Sequence, residues 1–277
     1  MNIPPILDLG AISGKVLVFG GVYSNLQALE SVYNFALEQN YRTENIICTG
    51  DIMGYCAQPE ECLQVIKNWG IHSIAGNVEM QVRNNEMDCG CNFSSGGRCD
   101  IFSRNWYQYI LDNISDDNKR WLHTLPDFIK FNYRNNKVAI IHGSWQNTSE
   151  FIFKSTHSEV KQKSFEMANS NVIIAGHSGI PFDDKYNTNL WINAGVIGMP
   201  ANDGTSRVWF LTLDDSDQEE SFYKFRNLSY DYQKAADLIK VNSLPVSYAE
   251  TLKTGIWDNC EILPELETRQ QGKPISF

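Results

Sequence analysis

Ile46-Ile47-Cys48-Thr49-Gly50-Asp51-Ile52-Met53-Gly54-Tyr55 decides how the rest of the chain is read. A short apolar run with β-branched residues predicts a buried strand. It stops at Gly50-Asp51, so a carboxylate stands where the strand gives way to a loop. In open α/β sheets ligands sit outside the carboxyl ends of the strands, which makes Asp51 a candidate site residue. The alternative is an Asp that caps the following turn.

The same pattern recurs to either side. Lys15 to Phe19 predicts a strand running into Gly20-Gly21-Val22-Tyr23-Ser24-Asn25. Apolar residues at helical spacing follow from Leu26 to Leu37, with Ser24 or Asn25 as N-cap. Residues 59–68 predict a helix with Pro59 in its first turn. Ile71 to Ala75 predicts a third strand, ending in Gly76-Asn77-Val78-Glu79. This alternation points to an α/β sheet, parallel at least in this half. Residues 84–100 interrupt it with a polar, Gly-rich loop that carries Cys89, Cys91 and Cys99. Two strands are then expected around the Asn135-Asn136 turn, the second ending in His142. A helix over 158–168 and a strand over 171–175 lead to Gly176-His177-Ser178-Gly179, and strands near 190–192 and 206–211 close the unit.

Side by side, the strand ends present Gly21, Asp51, Asn77, His142, His177 and Asn193. One buried His is ordinarily a satisfied core residue. Two His, an Asp and an Asn at equivalent strand ends, beside glycines that let backbone approach a ligand, point to a site. Imidazole nitrogen mixed with Asp and Asn oxygen suits Mn, Fe or Zn better than Ca or Mg.

Taken in order, these stretches resemble the calcineurin-like metallophosphoesterases, whose pattern is D-x-H, G-D-x-x-G, G-N-H-[DE], a strand ending in His, and G-H-x-H. The matches are Gly21-Val22-Tyr23, Gly50 to Gly54, Gly76 to Glu79, Ile141-His142-Gly143 and Gly176 to Gly179. The resemblance spans about residues 15–213 and looks closest to the small bacterial branch in which Tyr follows G-D-x-x-G. It implies a four-layer α/β/β/α sandwich around a dinuclear metal site. It also implies that Asp51, Asn77, His142 and His177 hold one metal. The positions that would complete the other are Gly21, Tyr23 and Gly179, and Val78 replaces the His that assists phosphate and leaving group. Asp51, Asn77 and His142 then carry what catalysis remains, by a metal-bound hydroxide attacking phosphorus. Two kinds of replacement ligand stay open: Tyr23, which otherwise packs over the pocket, and Cys89, Cys91 and Cys99, which otherwise are reduced thiols.

The expectation is therefore an irregular lead-in over 1–14, a metallophosphoesterase-like domain over 15–213, and an acidic turn with a helical extension over 214–277. Its function would be weak or specialised hydrolysis of a small phosphate mono- or diester. The alternative is a non-hydrolytic relative that binds metal, ligand or partner on the same fold. Composition narrows the partners. A net charge of −10 argues against a general nucleic-acid surface. No apolar run reaches the roughly 20 residues of a membrane helix. Seven cysteines, an odd number, and no basic-plus-apolar leader favour reduced thiols in a cytoplasm.

Overall fold

A computed structural model describes residues 6–91, 93–216 and 221–277. Met1–Pro5 of the expected lead-in, Asn92 of the Cys-containing loop and Asp217–Glu220 of the acidic run lie outside the described residues. The strands are β1 (Ile6–Ile12), β2 (Val16–Phe19), β3 (Ile46–Cys48), β4 (His72–Ser73), β5 (Phe128–Tyr133), β6 (Asn136–Ile140), β7 (Val172–Ala175), β8 (Phe182–Tyr186), β9 (Asn189–Asn193), β10 (Val208–Leu213) and β11 (Tyr223–Leu228). The helices are α1 (Leu26–Glu38), α2 (Pro59–Trp69), α3 (Asn77–Arg83), α4 (Arg98–Asn113), α5 (Asp116–Leu122), α6 (Ser158–Ala168), α7 (Tyr232–Val241), α8 (Val246–Thr254) and α9 (Glu265–Thr268).

Two mixed sheets result, one in the order β1-β5-β6-β7-β9-β8 and the other β11-β10-β2-β3-β4. Strands β2, β3 and β4 are mutually parallel, as are β6, β7 and β9. Side chains alternate across a strand, and here both faces are apolar. Leu17, Phe19, Ile46 and Cys48 face α1 and α2, whereas Val16, Val18 and Ile47 face the other sheet and meet Ile129, Ile140 and Ile174. On its far side the six-stranded sheet packs Ile173 and Trp191 against Phe165 of α6. The layers run helix, sheet, sheet, helix, as the four-layer reading expects. Local chemistry fixes the helix ends. Asn25 caps α1 by accepting the Ala28 N–H, Pro59 opens α2, and Gly70 ends it in the left-handed region.

Three expectations need correction. The described part of the expected lead-in is not irregular, because Ile6–Ile12 forms β1 and pairs in parallel with β5. The segment after 214 is not only turn and helix, because β11 adds an antiparallel strand to β10 before α7 begins. The third predicted strand is also shorter than read, ending at Ser73. Among the described residues no helix is long and apolar enough to cross a membrane.

Candidate metal centre

Strands β3, β6 and β7 are positioned so that the loops leaving them converge. Asp51 follows β3, His142 follows β6, His177 follows β7, and Asn77 opens α3 just beyond β4. All four side chains are buried. His142 Nε2 lies 3.1 Å from Asp51 Oδ2, 3.1 Å from Asn77 Oδ1 and 3.0 Å from His177 Nδ1. His177 Nδ1 is 4.0 Å from the same Asp51 oxygen. Among the described residues, Asp51, His142 and His177 form the one group of three His, Cys, Asp or Glu whose ligand atoms gather within 4.8 Å.

The hydrogen bonds around this group fix what each atom offers. His142 Nδ1 faces the Thr49 carbonyl at 2.7 Å, and a carbonyl only accepts, so the proton sits on Nδ1. Asn77 Nδ2 donates to the Cys89 carbonyl at 2.8 Å and to Cys91 Sγ at 3.2 Å, which turns Oδ1 toward His142. The Nε2 lone pair of neutral His142 therefore meets a carboxylate oxygen, an amide oxygen and His177 Nδ1. So many acceptors around one point favour an added positive charge. Burial works against the Asp51 charge, but the two imidazoles outweigh it and hold the carboxyl well below the usual range. Burial also lowers both rings; the Asp51 charge more than offsets this at His142, which ends raised, and not at His177, which ends lowered. A proton on His142 Nε2 meets the demand in the bare protein. A cation among the same atoms would meet it better, and two imidazoles with two oxygens form a donor set that fits a transition metal.

The surrounding backbone holds this arrangement under strain. Tyr23, Asp51 and His177 all have φ between +52° and +58°, a region that non-glycine residues seldom enter. Glu79 keeps the Asp51 loop there. Its Oε2 accepts the N–H groups of Asp51 (2.8 Å) and Gly76 (2.9 Å), and its Oε1 those of Ile52 (2.9 Å) and Met53 (3.3 Å). Burial and the Asp51 charge push the Glu79 carboxyl up to about 7, and the N–H donors pull the other way. Asn193 braces the His177 loop through the Gly176 carbonyl and Ser178 Oγ. Phe151 stacks on the His177 ring, centroids 4.3 Å apart.

Sequence reasoning placed Asp51, Asn77, His142 and His177 at one rim, and they meet there. It gave Glu79 no role, although it is the fourth letter of the Gly76-Asn77-Val78-Glu79 motif. Phe151 and Trp257 carried no local signal. The other candidates surround the cluster without bringing further ligand atoms together in it. The Tyr23 ring packs over Gly21, edge-on to Tyr55 with centroids 4.7 Å apart, and burial together with Asp51 raises its hydroxyl pKa. A Cβ on Gly21 would run into Val196 and the Tyr23 ring, and one on Gly179 would lie 3.2 Å from the Trp257 indole. Val78 lines the adjoining cavity, and its N–H donates to Asp51 Oδ1. Cys91 bonds Asn77, Cys89 Sγ accepts the Cys91 N–H, and Cys99 reaches Asn259, so the three thiols do not converge on one point. All seven cysteines are free.

Fold and site together define a metallophosphoesterase-type α/β sandwich. The family model for the calcineurin-like phosphoesterase superfamily domain matches residues 15–216, and the chain belongs to that superfamily. Over 262 residues it is 28% identical to an uncharacterized protein of Methanocaldococcus jannaschii, covering 88% of this chain and 99% of that one. In structure it is similar to a metallophosphoesterase from Sphaerobacter thermophilus (TM-score 0.67, 19% identity, 88% and 100% of the two chains). It is also similar to a hypothetical protein from Pyrococcus horikoshii (TM-score 0.73, 18% identity, 88% and 99%).

Proposed function

We propose that the protein is a metal-dependent phosphoesterase working from a single metal site, with Asp51, Asn77, His142 and His177 as ligands. The observation that carries this is the cluster itself: buried nitrogen and oxygen atoms of two imidazoles, a carboxylate and an amide face one another with no lysine or arginine among them. A Mn, Fe or Zn ion bound there would supply Lewis-acid charge to a phosphoryl oxygen and acidify a water molecule. The chain's own contribution is positioning. Glu79 and Thr49 hold Asp51 and His142, and the Cys89 carbonyl fixes the Asn77 amide.

The positions of a second metal are Gly21, Tyr23 and Gly179, and Val196, the Tyr23 ring and Trp257 fill the space around them. A substrate is then a small phosphate mono- or diester, turned over slowly because a second cation's stabilisation of the transition state is lost. The same filling, with Val78 in place of an acid–base side chain, also favours a second reading, in which the protein binds a metal or ligand without hydrolysis.

Elemental analysis of protein purified and then exposed to Mn, Fe or Zn tests the first step, with one ion per chain expected. Hydrolysis of bis(4-nitrophenyl) phosphate that disappears in His142→Ala supports the enzyme. No metal uptake overturns the enzyme and leaves only metal-free ligand binding, and metal uptake without hydrolysis leaves the binding reading.

A further inference from the structure

The cavity beside the metal cluster has a composition that phosphate recognition alone does not explain. It is a slot of about 90 Å³, bounded by Asp51 and His177 at one end. Aromatic rings dominate its walls: Tyr23, Tyr55, Trp106, Phe151, Tyr248 and Trp257. They come from distant parts of the chain, with Trp106 on α4 and Tyr248 on α8. Tyr55 is the hub, edge-on to Tyr23 and Tyr248 at 4.7 and 4.9 Å and tilted against Trp106 at 5.0 Å. Among the described residues lining the slot there is no lysine or arginine. Its other carboxylate, Asp258, is paired with Arg98.

Charge and shape then select a ligand. A divalent ion with Asp51 as its one anionic ligand leaves a net charge of +1. A phosphodiester, with one negative charge, cancels it. A phosphomonoester, with a charge of about −1.5 to −2, leaves uncompensated negative charge at the buried metal cluster, and the adjoining slot offers no guanidinium or ammonium to offset it. The slot is smaller than the roughly 150 Å³ apolar cavity that encloses benzene, but it opens to solvent rather than being enclosed, so at most a single ring can be inserted into it. Ring faces and edges on its walls favour a planar aromatic group over an alkyl group of similar volume.

We propose that this slot is the subsite for a single-ring aryl group of a phosphodiester monoanion whose phosphoryl group sits at the metal. The inference rests on the one-metal reading above.

The test uses full-length, metal-loaded protein and three probes, phenyl methylphosphonate, ethyl methylphosphonate and phenylphosphonate at pH 8, with phenol release followed in parallel so that affinity is read before any ester turns over. Affinity is read by calorimetry and by tryptophan fluorescence, since Trp106 and Trp257 face the slot. Phenyl methylphosphonate is expected to bind at least about tenfold more tightly than either other probe. Thr251→Phe and Ile262→Phe, which place a ring into the slot from two different segments, should each erase that preference while metal content is retained. Two variants guard against one that fails to fold. Equal affinity for the phenyl and ethyl monoanions in metal-loaded protein overturns the subsite and leaves the metal reading standing. A phenyl preference that survives filling, or tighter binding of the dianion, overturns the subsite in the same way. Failure to take up metal, measured on the same samples, overturns both.

Discussion

Replacing Gly76 by Ala tests how closely the Asp51 loop must approach its neighbour. Gly76 has φ −78° and ψ −177°, ordinary extended backbone, so alanine brings no conformational strain. What it brings is a collision. The new Cβ would lie 2.5 Å from the Asp51 nitrogen, 2.9 Å from its Cγ and closer still to Oδ1. Ordinary contact needs the two segments to separate by about 1 Å. They are not free to do so, because Glu79 Oε2 holds the N–H groups of both Asp51 and Gly76. Overpacking of this kind costs about 1–3 kcal/mol, and loss of glycine at the N-cap of α3 adds roughly 0.5–1 kcal/mol. The sum, about 1.5–4 kcal/mol, corresponds to a melting temperature lower by about 3–16 °C in a domain of this size.

Gly76→Ser separates the two contributions. Serine is a better cap than glycine but carries the same Cβ, so it should be nearly as unstable as alanine. Because the displaced atoms belong to Asp51, metal affinity should fall as well, by about 10–100-fold. Urea unfolding of the metal-free proteins gives the stability term and metal titration gives the rest. An alanine variant within about 0.5 kcal/mol of the parent, below the range just derived, with unchanged metal content, would refute the close-approach argument.

Glu79→Ala removes the acceptor for four buried N–H groups, and urea unfolding should show a loss of about 3–6 kcal/mol after water partly replaces it. Gly179→His should not create a second metal site by elemental analysis, because its Cβ meets Trp257 at 3.2 Å and its φ is +77°. The combined strain and overpacking should lower stability by about 2–5 kcal/mol. Cys91→Ala leaves Asn77 Nδ2 bonded to the Cys89 carbonyl, so metal affinity should change by less than about tenfold; complete loss of metal would make Cys91 a ligand.

What the sequence disclosed follows from where each residue sits. Strands buried on both faces, such as Val16–Phe19, Ile46–Cys48 and Val172–Ala175, are unbroken apolar runs and are recognisable on inspection. The three strands that were missed, β1, β8 and β11, all lie at sheet edges. Their sequences, ILDLGAI, FDDKY and YKFRNL, are interrupted by charged, polar or glycine residues because much of each strand stays exposed. For β1 the partner is also distant in sequence, since it pairs with β5, with a register shift between Asp8 and Ala11. The four polar groups at the strand ends could be found because each follows a buried run. Glu79 could be quoted but not interpreted, since its role is to accept four backbone N–H groups, mostly from a loop some 27 residues away.

The most informative contacts are those around Gly21 and Gly179. On sequence alone, glycine at both positions is compatible with an open pocket that a loop cysteine or a distant ligand could complete. The structure places Val196 and the Tyr23 ring against Gly21, and Trp257, reached only after α8, against Gly179. Trp257 is anchored there, with its backbone N–H on Asn202 Oδ1 at 2.8 Å and its indole N–H on the Pro200 carbonyl at 2.7 Å. These contacts make the glycines and the aromatic side chains one packing solution, since a β-carbon at either glycine would displace a ring. They also explain why the aromatic slot lies on this side of the cluster. Residues that close the space near Gly21 and Gly179 are the ones that wall the slot. On the proposed reading, forgoing a second cation and gaining an aryl subsite are two consequences of one rearrangement. A protein in which Trp257→Ala abolished aryl preference but left metal uptake intact would behave as that coupling requires.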